Sequence, residues 1–301
     1  MKIISLLSFA LAVATATLCS AAETVSFQVK VTGHGRPMIL IPGLASPGAV
    51  WDATVTHFNK DYECHVLTLA GFGGTPARSS ADTPLIAAAR DELAAYIREH
   101  KLDHPVIVGH SLGGFLALEI AIKYPELAGQ LVIVDSLPFL VGIMKPGATI
   151  DDAKQAADAT ASAFSKMDPE NYSRMIRGGP NGSIMAAATG DLDRIVAWGL
   201  ASDPTTVAKA MGEMYTTDLR SELTRIKSPT LVLAAWVGYA PYSSHQFVEQ
   251  VYRDQYAKLA GFQLTITDTA RHFIMFDAPA WTFEQIENFL GAKKTVSTAT
   301  N

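Results

Sequence analysis

The segment Pro105-Val106-Ile107-Val108-Gly109-His110-Ser111-Leu112-Gly113-Gly114 constrains the fold more than any other stretch of the chain. Its first half is a short apolar, β-branched run suited to a buried strand. From Leu112 the apolar residues Phe115, Leu116, Leu118 and Ile120 take up the spacing of a helix. A serine at that change of period, with glycine two positions to either side, fits a sharp strand-to-helix turn that leaves its hydroxyl exposed. A Cβ at either flanking position would collide with the neighbouring strand or helix. The pattern GxSxG is weak alone; the strand before it and the helix after it make it specific.

The rest of the chain repeats this alternation. Val25 to Val31 alternates apolar and polar side chains, as an edge strand does. Met38–Ile41, Cys64–Leu69, Leu131–Asp135, Pro229–Ala235 and Gln263–Thr267 read as buried strands. Helices are expected over Ala49–Phe58, Thr83–His100 (with Asp82 or Thr83 as N-cap and Pro84 in the first turn) and Ala280–Leu290. Short apolar strands alternating with helices predict an α/β fold, a mostly parallel sheet with helices on both faces. Residues 136–227 break the rhythm. Helices fit Asp151–Lys166, Asp191–Leu200 and Pro204–Tyr215, with loops at Pro146-Gly147 and Gly178–Gly182, so this stretch reads as a helical cap inserted between two strands. The expected organisation is a core of 23–135 and 228–291, the cap at 136–227, and a polar, disordered tail at 292–301.

Residues 1–22 read as a secretory signal peptide: Lys2, an apolar stretch from Ile3 to Leu18, then Cys19-Ser20-Ala21-Ala22 as a small-residue cleavage region. A retained anchor is the alternative, although the apolar stretch is short for one. Leu18 fits poorly before a lipoprotein cysteine. Cleavage would leave Cys64 alone, in an apolar strand pattern where a cysteine is a core residue, so an exported chain would depend on its core and not on a disulfide. The expected mature protein is exported, periplasmic or secreted, with no later transmembrane segment; the run Leu231–Ala240 is half the length required. Net charge is −5 with no basic stripe, which argues against nucleic acid as a partner. No feature specifies an oligomeric state.

Ser111 is the candidate nucleophile. A serine hydroxyl needs a neighbouring base, normally histidine oriented by a carboxylate, and two backbone N–H groups aimed at the oxyanion. His272 follows the last strand and precedes the closing helix, a place none of the other seven histidines occupies. His110 adjoins the nucleophile, but its side chain should point away from the tip of the turn. Leu112 N–H opens the helix, where donors are unpaired. Leu44 N–H, after Pro42-Gly43, is the second expected oxyanion donor. Gly71–Gly74 lacks phosphate-loop spacing and reads as a tight turn.

These residues resemble the α/β-hydrolase superfamily, nearest to its small capped members. The resemblance spans about residues 25 to 290 and rests on Ile41–Leu44, Gly109–Gly113, Leu131–Asp135, Lys227–Leu231 and the His272 segment. It implies a Ser–His–acid triad, no metal or other cofactor, a small-molecule substrate and a cap over the pocket. One departure stands out. Most relatives place the triad acid after the strand that resumes the sheet beyond the cap, yet Ala234–Pro241 contains no carboxylate. Some members take the acid from the preceding strand end, where Asp135 stands. Asp135 is the favoured candidate, ahead of Glu249, Asp268, Asp218 or a bare Ser–His dyad. Trp236, Tyr239 and Tyr242 are candidate walls of the substrate pocket. The methionines in and near the cap fit an apolar acyl pocket or plain packing.

The expected activity is that of an exported serine hydrolase acting on a small to medium uncharged carboxylic ester or lactone. The alternatives are a catalytically weak binding or sensor protein, or an amidase, carbon–carbon hydrolase or perhydrolase on the same fold.

Overall fold

The computed structural model describes residues 25–79, 84–145, 147–165 and 167–291. The expected signal peptide, the expected tail at 292–301, and Asp82 and Thr83 lie outside these residues.

Seven strands form one sheet: β1 (Phe27–Gly33), β2 (Arg36–Ile41), β3 (Tyr62–Leu69), β4 (Val106–His110), β5 (Gln130–Val134), β6 (Thr230–Ala235) and β7 (Gln263–Thr267). Their order is β1-β3-β2-β4-β5-β6-β7, with β1 antiparallel to β3 and every other pair parallel. The strand carrying the Ser111 turn is therefore central. Strands buried on both faces need continuous apolar sequence, and all of β4 and β6 is buried.

Successive residues of each strand serve opposite cores. Ile39, Ile41, Ile107 and Ile133 pack with α2 (Leu85–Glu99) and α3 (Leu112–Lys123). Met38, Leu40, Val108 and Val132 pack on the other side, with Phe58 of α1 (Asp52–Phe58) and with Ile286 of the closing helix. Cys64 is fully buried in that second core, and burial pushes its thiol up to about 11, so it is a packing residue. Gly71, Gly73 and Gly74 all have positive φ, which makes their loop the tight turn that was expected.

Between β5 and β6 lies a helical insertion: α4 (Val141–Met144), α5 (Ile150–Ser165), α6 (Pro169–Arg177), α7 (Gly179–Met185), α8 (Thr189–Ala201) and α9 (Pro204–Thr216). Two of these begin with an aspartate followed by proline. Asp168 accepts from Asn171 N–H at 2.8 Å and Asp203 from Thr206 N–H at 2.7 Å, while the proline fills a first-turn position that needs no donor. The loop expected over Gly178–Gly182 is only a break at Gly178, because the chain turns straight into α7 with Pro180 in its first turn. A further helix, α10 (His245–Gln255), follows β6; Ser244 caps it through Phe247 N–H at 3.2 Å. Next to the C-terminal end of the described chain come α11 (Ile274–Asp277) and α12 (Pro279–Gly291). No helix among the described residues is long and apolar enough to cross a membrane.

The insertion is bonded to the sheet's loops where α8 passes into α9. Ser202 Oγ accepts from Gly73 N–H at 2.8 Å while its own proton goes to Trp198 O of α8 at 2.8 Å; Asp203 N–H donates to Gly71 O at 2.7 Å. Farther along α9, the Glu213 carboxylate accepts from Leu85 N–H at 2.7 Å and Ile86 N–H at 2.9 Å, so a side chain of the insertion caps α2.

Candidate active site

Ser111 sits between β4 and α3 with φ 53° and ψ −119°, a conformation that costs a non-glycine residue energy and holds its side chain proud of the turn. The turn closes only because its flanks carry no side chains. A Cβ on Gly109 would lie 2.2 Å from Gly113 O, and one on Gly113 would lie 2.2 Å from Ile41 O. Ser111 N–H donates to Val134 O at 2.9 Å, and Phe115 N–H to Ser111 O at 3.0 Å, so the serine is tied to both the neighbouring strand and the helix it starts.

One step across the sheet, Asp135 ends β5, also with positive φ (47°), a region that aspartate tolerates better than most residues. Its carboxylate is buried and fully engaged. Oδ2 accepts from His272 Nδ1 at 2.6 Å, and Oδ1 accepts from Ala235 N–H at 2.9 Å and from Tyr252 O–H at 2.8 Å. A carboxylate can only accept, so the short contact puts the proton on His272 Nδ1 and leaves Nε2 as a base. Ser111, Asp135 and His272 line one cavity of about 60 Å³, walled by Phe115, Leu137, Leu140, Met214, Tyr239 and Tyr252. Such a set can carry a proton from a hydroxyl to an imidazole whose positive charge the carboxylate then balances.

The other acid candidates are engaged elsewhere: Glu249 with Arg253, Asp218 with Arg220, and Asp268 with the indole N–H of Trp236. Among the aromatic residues expected in the pocket wall, Tyr239 is there. Trp236 and Tyr242 are not. The indole of Trp236 turns outward to Asp268 and meets the His245 ring edge-on at 5.4 Å, while Tyr242 is 64% exposed. The chain leaves β6 through a short turn (Val237–Tyr239), and of the three rings only the one that ends this turn lines the cavity.

The loop after β2 closes against the serine. A Cβ on Gly43 would lie 2.9 Å from His110 Nδ1 and 3.2 Å from Ser111 Cβ. Leu44 follows, partly buried, and Leu112 occupies the first position of α3, whose opening N–H groups have no helical acceptor.

Three contributions escaped the sequence. Tyr252 reaches Asp135 from the buried face of α10. His110, expected only to point away, is fully buried against the His272 segment: its Nε2–H donates to His272 O at 3.0 Å, and the two rings lie 4.6 Å apart. Burial, with His272 beside it, holds the His110 imidazole well below its ordinary pKa and hence neutral. The insertion also grips the His272 loop. His272 N–H donates to Ile184 O at 2.9 Å, Phe273 N–H to Met185 O at 3.0 Å, and Arg271 Nη1 to Ala186 O at 2.6 Å. Asp277 joins the two segments, accepting from Ala187 N–H and Arg271 N–H, each at 2.9 Å. A tyrosine at helical spacing among valines (Val248, Tyr252) signals a buried face, but nothing local names its partner.

The chain is similar to proteins of known name and structure. It is 27% identical over 275 residues to the pimeloyl–acyl-carrier protein methyl ester esterase of Aeromonas hydrophila subsp. hydrophila, covering 89% of this chain and 100% of that protein. It is 26% identical over 217 residues to the protein of the same name from Nitrosomonas europaea, covering 69% and 79% respectively. An esterase from Exiguobacterium antarcticum shares the fold, with TM-score 0.72 at 16% identity over 88% of this chain and 96% of that one. The model of the alpha/beta hydrolase family matches residues 38–285, and with the parallel sheet, the serine turn and the insertion in their places, the chain belongs to that family.

Proposed function

We propose that this protein is a serine hydrolase that cleaves a small to medium uncharged carboxylic ester or lactone. The observation that carries the reading is the 2.6 Å contact between His272 Nδ1 and Asp135 Oδ2 in a cavity that also holds Ser111. Ser111 Oγ attacks the carbonyl carbon while its proton passes to His272 Nε2. The imidazolium stays bonded to Asp135, and the N–H groups of Leu44 and Leu112 bind the oxyanion. Collapse of the tetrahedral intermediate breaks the ester C–O bond, and the alkoxide leaves with the proton from His272. Water, deprotonated by the same Nε2, then releases the acid from Ser111.

The cavity wall supports an uncharged substrate. Among the described residues the wall is mostly apolar and carries neither lysine nor arginine, which favours an uncharged group beside the serine. The names of the curated relatives point to esters. In this reading the insertion is a cap over the site, and Lys2–Ala22 directs export. The alternative of a weak binding or sensor protein drew its support from the missing carboxylate after β6; the contact of Asp135 with His272 favours the hydrolytic reading over it.

A fluorophosphonate probe tests the reading. Rapid labelling of the wild type that disappears in Ser111→Ala is expected, together with turnover in a panel of p-nitrophenyl esters and lactones. A wild type that neither labels nor turns over any member of the panel would overturn it.

A further inference from the structure

We infer that Tyr252 is a positioning residue for the hydrolytic site: its hydroxyl holds the Asp135 carboxylate so that one oxygen alone faces His272. The inference rests on the hydrolytic reading above and goes beyond it, to a residue outside the Ser–His–Asp set.

The argument starts from where the acid stands. At the end of β5, Asp135 is buried, and a buried carboxylate that keeps its charge needs hydrogen bonds to both oxygens. His272 takes Oδ2. Oδ1 faces away from the imidazole, toward β6 and α10, and has two donors, Ala235 N–H at 2.9 Å and Tyr252 O–H at 2.8 Å. The Ala235 donor is main chain and comes with the sheet. The Tyr252 donor is a side-chain choice, since phenylalanine would fill the same space without it.

The phenol suits the task. Tyr252 is fully enclosed, and burial beside the Asp135 charge keeps its proton on well beyond the ordinary tyrosine range, so it donates at every working pH. The titratable groups facing the carboxylate are His272, Tyr239 and Tyr256 besides Tyr252 itself, and the His272 ring is faced in addition by the buried, neutral His110 ring at 4.6 Å. Of the phenols, only Tyr252 bonds to Asp135; Tyr256, four residues on, donates to Ser136 O at 2.8 Å. With the Tyr252 bond gone, charge on the carboxylate is less dispersed and its hold on the imidazolium proton strengthens. The carboxylate is also freer to rotate about its last torsion. The first effect moves the acid limb of the pH–rate profile upward; the second lowers kcat.

The test compares Tyr252→Phe with Tyr256→Phe on a p-nitrophenyl ester, after fluorophosphonate labelling of the wild type. Tyr252→Phe is expected to lower kcat roughly 10- to 100-fold, the worth of one hydrogen bond to a charged group, with KM within about twofold. The acid limb of kcat/KM should shift to higher pH. Tyr256→Phe, which loses a bond of similar burial, should match its fall in melting temperature but keep the wild-type profile. If Tyr252→Phe does not fold, 3-fluorotyrosine at position 252 keeps the shape and strengthens the donor, and the acid limb should then move to lower pH. Unchanged kcat and an unmoved limb in whichever variant folds would overturn the role of Tyr252 while leaving the hydrolytic reading intact. A wild type that fails to label would overturn both.

Discussion

The main-chain N–H of Ala235 donates to Asp135 Oδ1 at 2.9 Å, across the seam between β5 and β6. The strand that ends without a carboxylate thus supplies a donor to the carboxylate next door. Moving the acid one strand along the sheet keeps it within reach of the same imidazole, because parallel neighbours end side by side and their strand spacing is about 4.8 Å.

Replacing Asp135 by asparagine should leave the backbone in place, since asparagine also accepts positive φ. It should nonetheless lower kcat by about 10³- to 10⁴-fold, because an amide in that position favours the wrong imidazole tautomer. Ester turnover beside a circular-dichroism melt checks this; near-normal turnover would remove Asp135 from the reaction.

Glu213 should make stability depend on pH. Burial raises its carboxyl to about 7 despite the bonds it accepts from α2, and Glu119, itself paired with Arg90, adds to the rise. The folded value lies above the unfolded one, so the native state keeps a proton that the unfolded chain has lost. Stability should therefore fall as pH climbs from about 4.5 to about 7, by no more than about 3 kcal/mol, and level off above. Urea midpoints at pH 5 and pH 8 should show this slope in the wild type and a flatter one in Glu213→Gln.

Asp277→Ala should loosen the grip of the insertion on the His272 loop. Hydrogen exchange at Arg271 and Ala187, the two N–H groups that lose their acceptor, should quicken. Turnover should drop about tenfold as the imidazole wanders from its productive position. Exchange at both sites equal to wild type would refute the coupling.

Tyr239 and Tyr242 should part company. Tyr239→Ala enlarges the cavity wall and should change the relative rates of esters that differ in acyl length, whereas Tyr242→Ala, on an exposed ring, should leave kcat/KM within about twofold. A p-nitrophenyl ester series run on both variants decides it.

Much of this was legible in the chain itself. The seven strands, the serine turn, the late histidine and three of the inserted helices (α5, α8 and α9) follow from local pattern, because a buried strand, a helical face and a glycine-flanked turn each leave a periodic or positional mark; α4, α6 and α7 were not read from it. Asp135 was legible only as a favourite among several carboxylates. Tyr252, His110 and the Ile184–Ala187 grip were not legible at all, since each is a contact between segments far apart in sequence: 117 residues separate Tyr252 from Asp135, and 162 separate His110 from His272.

By itself, then, the sequence determined which side chains are chemically able to act and in what order the chain delivers them to the sheet. It could do so because burial, period and backbone conformation are short-range demands that neighbouring residues must satisfy together. Tertiary structure decided which acid meets the imidazole, what holds that acid, and which aromatic rings wall the cavity. Those depend on directions and distances of a few ångströms, set only when β5, β6, α10 and the insertion pack against one another.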